Sequence, residues 1–146
     1  MDLQAFNLLN YKGIPYFNVE GDEHVPTVLV VDDTLFMRVA ISNMFSEWGY
    51  EVVGKAANGK EAVAMYRELQ PDLVTMDVTM PVMTGIAAVK TIIPEFPNAK
   101  IIMITALGQQ KLIVEAIESG AKDFITKPFE PERLKFVVDQ LLGQNC

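Results

Sequence analysis

The chain has 146 residues, half of them hydrophobic and 21% charged, with a formal net charge of −7. That length holds one domain with a full core, and the composition excludes a disordered chain. The acidic balance argues against a nucleic-acid partner, which needs a basic face for phosphates, and no apolar run approaches the ~18 residues of a membrane span.

The start, Met1-Asp2-Leu3-Gln4, lacks the basic-then-apolar pattern of a secretion signal, so a cytoplasmic protein is expected. Residues 1–26 form an N-terminal extension carrying Phe6, Tyr11, Tyr16 and Phe17 among Asn, Gly and acids. Within it residues 14–19 fit a short edge strand, because Pro15 is tolerated at an edge but not inside a sheet. Residues 21–24 read as a linker in which His24 is a solvated side chain rather than a metal ligand or base. The four aromatics favour docking, either on the chain's own domain or as an arm on a second copy, so a monomer or an arm-mediated dimer is expected.

From Thr27 a regular alternation sets in. Val28-Leu29-Val30-Val31 is a buried strand that ends in Asp32-Asp33. Residues 34–48 form a helix with Met37, Ile41, Met44, Phe45 and Trp48 on one face and Gly49 as its stop. Residues 51–55 are the second strand. A helix over 59–69 turns Ala62, Tyr66 and Leu69 inward and is closed by Pro71. Leu73-Val74-Thr75-Met76-Asp77 is the third strand, bracketed by Pro71 and Pro81. A helix over 85–93 is ended by Pro94, and 100–105 is the fourth strand. A helix over 109–119 stops at Gly120, 123–126 is the fifth strand, and Pro131 opens the last helix, which buries Leu134, Val138 and Leu141. Residues 27–143 thus make one (βα)5 domain, followed by a tail over 144–146. The tail ends in Cys146, the single cysteine, which excludes an internal disulfide and suits a reducing compartment.

Five βα units with short connections predict an α/β fold, a doubly wound five-stranded parallel sheet in the order 2-1-3-4-5 known for flavodoxin-like sheets. In such sheets ligands bind beyond the carboxyl ends of the strands. Strand one ends there in Asp32 and Asp33, strand three in Asp77, strand four in Thr105 and strand five in Lys127. Each has an ordinary use alone: Asp and Thr cap helices, and a lysine before proline is a common loop charge. Together they place three carboxylates, a hydroxyl and an ammonium in one crevice. Carboxylates about 5 Å apart repel by roughly 3 kcal/mol per pair at an effective dielectric near 20. A hard divalent cation relieves that repulsion, and an all-oxygen cluster suits Mg²⁺. With no histidine or cysteine at these strand ends, a phosphoryl group brought there would be attacked by a carboxylate, giving an aspartyl phosphate.

These residues resemble the receiver domain of bacterial two-component response regulators over residues 27–143. The likeness rests on Val28-Leu29-Val30-Val31-Asp32-Asp33-Thr34 with Arg38, on Asp77 through Gly85, on Thr105-Ala106, and on Phe124-Ile125-Thr126-Lys127-Pro128-Phe129. Ala106 to Gln110 is similar to the stand-alone chemotaxis members of that family. The resemblance implies that Asp77 is the phosphoacceptor and that Asp33, Asp77 and the Thr79 carbonyl hold Mg²⁺, with Asp32 acting through water. It also implies that Lys127 pairs with the phosphoryl group, that Thr105 and Phe124 are the switch pair, and that Lys127-Pro128 is a cis peptide. The protein would then be a signalling phosphoacceptor that catalyses only its own phosphoryl transfer and autodephosphorylation. The implied partners are a CheA-like sensor histidine kinase, a FliM-like flagellar motor switch protein and a CheX- or CheC-type phosphatase.

Some positions depart from the family pattern. Thr84 replaces an aspartate but can still cap the next helix, and Phe124 replaces a tyrosine. Thr79 and Leu107 flank the site where hydrolysis is tuned; Leu107, being apolar, cannot orient a water. A metal-dependent phosphatase of the haloacid-dehalogenase kind is the enzyme alternative, but its D-x-D pattern differs from the adjacent Asp32-Asp33. A flavin or nucleotide binder needs glycines and hydroxyls in the loop after strand one, which are missing here.

Overall fold

The computed structural model describes residues 24–143. The proposed edge strand over 14–19, the docking of the N-terminal aromatics and the 144–146 tail lie outside the described residues.

Ten elements alternate along the chain: β1 (Thr27–Val31), α1 (Leu35–Glu47), β2 (Glu51–Ala56), α2 (Gly59–Leu69), β3 (Leu73–Asp77), α3 (Gly85–Glu95), β4 (Ile101–Ala106), α4 (Gln110–Glu118), β5 (Asp123–Lys127) and α5 (Pro131–Leu142). The strands form one parallel sheet in the order β2-β1-β3-β4-β5, as the alternation predicts. Alternating side chains divide the interior into two layers. Leu29, Val31, Val74, Met76, Ile101 and Met103 point toward α2, α3 and α4 and pack on Ala62, Tyr66, Val89 and Ile113. Val28, Val30, Leu73, Ile102, Ile104 and Ile125 point the other way, onto Ile41 and Phe45 of α1 and Leu134, Val137 and Val138 of α5. β3 is buried at every position, the result of being central and covered on both faces.

The starts of α1, α2 and α3 follow their cap residues. The Thr34 hydroxyl accepts from the Met37 amide, Asn58 from Glu61 and Thr84 from Ala87, so threonine at position 84 does serve as the cap of α3. Several expectations need correction. Pro94 lies inside α3, which continues to Glu95 and closes through the Phe96 amide on the Ile92 carbonyl at 2.7 Å. A proline this close to a helix end forfeits little, since almost no ladder follows it. Leu69 is not turned into the core: it is 38% exposed, and its Cδ1 leans over Gly54 of the edge strand β2. Leu141 is half-buried at the margin of its layer, where Val137 holds the buried position.

His24 is exposed but not free. Its Nε2 lies 2.7 Å from Asp72 Oδ2, and the Thr27 amide donates to the same oxygen at 2.8 Å. The Asp72 amide donates in return to Thr27 Oγ1. Burial opposes the Asp72 charge, but these bonds to Thr27 and His24 outweigh it and hold the carboxyl below its ordinary pKa. This box ties the start of β1 to the loop before β3, at the end of the sheet away from the aspartates. None of the helices among the described residues is long and apolar enough to cross a membrane.

Candidate functional site

The parallel register brings the carboxyl ends of β1, β3, β4 and β5 to one edge. Asp32, Asp33 and Asp77 meet there, each offering a carboxylate oxygen within 4.8 Å of the others. Asp32 and Asp77 are buried and Asp33 faces solvent. The sequence expectation that these three converge is met.

Asp32 is held on every side. Its Oδ1 accepts from the Thr34 amide at 2.9 Å and the Thr34 hydroxyl at 3.0 Å, and its Oδ2 from Lys127 Nζ at 3.0 Å. Arg38 Nη1 donates to its carbonyl at 2.7 Å. The cap of α1 therefore also fixes the orientation of the first carboxylate. Asp77 is freer: the Lys127 ammonium stands 3.6 Å from its Oδ2. The Asp77 carboxyl is pushed up to about 6, chiefly by burial and also by the neighbouring Asp32 and Asp33, against the pull of Lys127.

Gly85 makes room for the end of β3. A Cβ at this position would collide with the Asp77 carbonyl oxygen, and the Gly85 amide donates to the Val78 carbonyl at 2.9 Å. Between them, the loop turns through Val82 at φ 70°, a left-handed conformation that strains a β-branched residue. The Lys127-Pro128 peptide is cis, as the resemblance implies.

Thr105 is buried at the end of β4, but its hydroxyl is not aimed at the carboxylates. It donates to Gln109 Oε1 at 2.5 Å, and Gln109 Nε2 donates to the exposed Thr79 hydroxyl at 3.0 Å. Phe124 is 40% exposed and lines a cavity of about 430 Å³ with Thr105, Ala106, Leu107, Ile113 and Val114. Leu107 is 74% exposed at its lip. Gln109 is the residue that sequence reasoning missed; it read as the first residue of a helix. The available signal was that glutamine is a poor helix cap.

Three carboxylates against the Lys127 ammonium leave a net charge of −2 in a donor set made of oxygen. That charge and hardness fit a divalent cation of the Mg²⁺ class. The same cluster, with a buried carboxylate beside an ammonium, suits the binding of a phosphoryl group.

The family model described as the response regulator receiver domain matches residues 28–139. Chemotaxis protein CheY of Thermotoga maritima is 57% identical over 107 residues, spanning 73% of this chain and 89% of that protein. CheY of Bacillus subtilis is 49% identical over 116 residues, spanning 80% and 97%. Among solved structures, the CheX-CheY-BeF3-Mg²⁺ complex from Borrelia burgdorferi aligns with a TM-score of 0.79 at 35% identity, covering 85% of this chain and 95% of that one.

Proposed function

The chain belongs to the response regulator receiver domain family, in its chemotaxis CheY-type branch, and from that premise we propose that Asp77 is reversibly phosphorylated to switch a protein-binding surface. The single observation that supports this most directly is the meeting of Asp32, Asp33 and Asp77 within 4.8 Å with Lys127 beside Asp77. An Asp77 carboxylate oxygen attacks the phosphorus of a phosphohistidine on a CheA-like kinase. The new bond is P–O, the P–N bond breaks, and its electron pair leaves on the imidazole nitrogen.

Asp33, Asp77 and the Thr79 carbonyl would hold Mg²⁺, with Asp32 acting through water. When bound, the ion neutralises charge on the phosphoryl oxygens. Lys127 shifts from the carboxylates to a phosphoryl oxygen, as a mobile point charge can. Phosphorylation replaces the single carboxylate charge of Asp77 with a phosphoryl group carrying close to two negative charges and three strong acceptor oxygens. The Thr105 hydroxyl turns toward them, and Phe124 moves into the space beside it. The changed surface is that of α4, β5 and α5, and it meets a FliM-like motor switch protein. A CheX- or CheC-type phosphatase and the domain's own slow hydrolysis end the signal. We assign the switch to residues 27–143 and to the cytoplasm.

The test is intact-mass analysis after incubation with acetyl phosphate and Mg²⁺. The expected result is a gain of about 80 Da, the mass of one phosphoryl group, labile to hydroxylamine and absent from Asp77→Ala. An unchanged mass, or a gain that survives in Asp77→Ala, refutes the proposal.

A further inference from the structure

Gln109 holds the N-cap position of α4, where Ser, Thr, Asn or Asp would tie down the first amides, yet its side chain makes no capping bond. Its carboxamide instead spans the rim of the site. Thr105 Oγ1 donates to Oε1 at 2.5 Å, and Nε2 donates to Thr79 Oγ1 at 3.0 Å. Of the three residues between Thr105 and Gln109, Ala106 ends β4 and pairs with Lys127, while Leu107 and Gly108 are exposed and outside any element, and Gly108 takes φ 89°. α4 itself is anchored in the core through Ile113 and Ala116.

A hydroxyl carries one proton. The Thr105 proton has two acceptors in reach, Gln109 Oε1 at 2.5 Å and, more distantly, the Ala106 carbonyl at 3.2 Å; while it is spent on Gln109, it cannot be donated to an oxygen on Asp77. We infer that Gln109 is a positioning residue, a latch that holds the Thr105 hydroxyl away from the acceptor and joins its release to the release of the first turn of α4. The inference rests on the reading of Thr105 as the group that moves onto the phosphoryl oxygens, and it adds what opposes that movement. A bond present in only one of two states biases the equilibrium toward that state. A ligand that selects the other state binds more weakly by the same factor, which for one neutral hydrogen bond is about two- to tenfold.

The probe is beryllium fluoride with Mg²⁺, a non-covalent stand-in for the phosphoryl group, with its apparent affinity measured by calorimetry. Gln109→Ala is expected to bind it about three- to tenfold more tightly than wild type. Gln109→Asn, too short to reach both threonines, should follow Gln109→Ala. Thr79→Val, which cuts the far end of the latch at an exposed position, should move affinity the same way by less. In a Thr105→Val background the Gln109→Ala change should do nothing, since no hydroxyl remains to be held; a residue that only shapes the loop would not show that dependence. In the metal-free protein, hydrogen exchange of the Ile113 amide, which bonds the Gln109 carbonyl at 3.1 Å, should speed up in Gln109→Ala.

Wild type that takes up no beryllium fluoride overturns the phosphorylation reading and the latch together. Wild type that binds it, with Gln109→Ala equal or weaker, overturns the latch alone. So does a gain that persists in the Thr105→Val background. If Gln109→Ala does not fold, Thr79→Val decides: an affinity equal to or below wild type overturns the latch.

Discussion

Replacing Asp77 by asparagine keeps the shape of the side chain and removes its charge from a crowded site. In the metal-free protein the folded state raises this carboxyl from its ordinary 3.8 to about 6, burial being the largest cause and Asp32 and Asp33 adding to it against Lys127. The folded chain therefore keeps a proton that the unfolded chain gives up between those two values. Stability conferred by the protonated acid is complete below pH 3.8, is lost as pH rises through about 6, and is level above that. A shift of about two units corresponds to about 3 kcal/mol, net of the attraction to Lys127. Asp77→Asn is accordingly expected to be about 2–3 kcal/mol more stable than wild type in chelator at pH 8, raising the melting temperature by on the order of 10 °C. Urea unfolding and scanning calorimetry both measure this. At pH 4 the gap should close, because the wild-type acid is then protonated too. Saturating Mg²⁺ should also narrow it at pH 8, since a ligand at a hundred times its Kd adds about 2.7 kcal/mol to the state that binds it. An asparagine variant no more stable than wild type at pH 8 in chelator, or a gap that survives unchanged to pH 4, would refute the electrostatic reasoning.

Thr105→Ala should retain the mass gain at Asp77 but lose phosphorylation-dependent partner affinity by roughly ten- to a hundredfold, measured by binding in the presence of the beryllium mimic; undiminished affinity would break the link between acceptor and surface. Leu107→Glu puts an acid at the exposed lip of the site and should speed autodephosphorylation several-fold, well short of the roughly hundredfold or more that a fully positioned acid–base group delivers; decay of the labelled protein at an equal or slower rate removes that role. Gly85→Ala should cost about 3 kcal/mol or more in urea unfolding, because the new Cβ drives into the Asp77 carbonyl oxygen. Thr75→Val should stabilise by about 1–2 kcal/mol, since the Thr75 hydroxyl is buried in β3 without a hydrogen-bond partner.

The architecture was legible because its strands are short apolar runs set off by prolines and glycines. Leu73–Asp77 is found at the bounds its sequence suggests, since an apolar run buried on both faces has no register in which it could slip unnoticed. The clustering of Asp32, Asp33, Asp77 and Lys127 followed from topology: residues at the ends of adjacent parallel strands are neighbours whatever their distance in sequence. What was not legible depends on side-chain direction. Pro94 was read as a stop because proline breaks ladders, yet so near a helix end little ladder remains to break. Leu69 follows the helical period of Ala62 and Tyr66 but overhangs the edge of the sheet, where there is less to bury against. His24 was assigned to solvent because its partner, Asp72, is remote in sequence. Gln109 offers only the weak signal of a poor cap residue at a helix start; its meaning comes from Thr79 and Thr105, brought within reach by the loops after β3 and β4.

The strict alternation of β1 and β4, with Leu29, Ile101 and Met103 facing one way and Val28, Ile102 and Ile104 the other, makes the sheet a partition wall. The buried residues of the two layers fall into separate clusters with no member in common, and substitutions that share no packing partner tend to add rather than interact. Core substitutions behind α1 and α5 can therefore accumulate while the fit behind α2, α3 and α4 is left alone, and the reverse. For the purposes of divergence the molecule is two half-cores set back to back, each free to drift at its own pace.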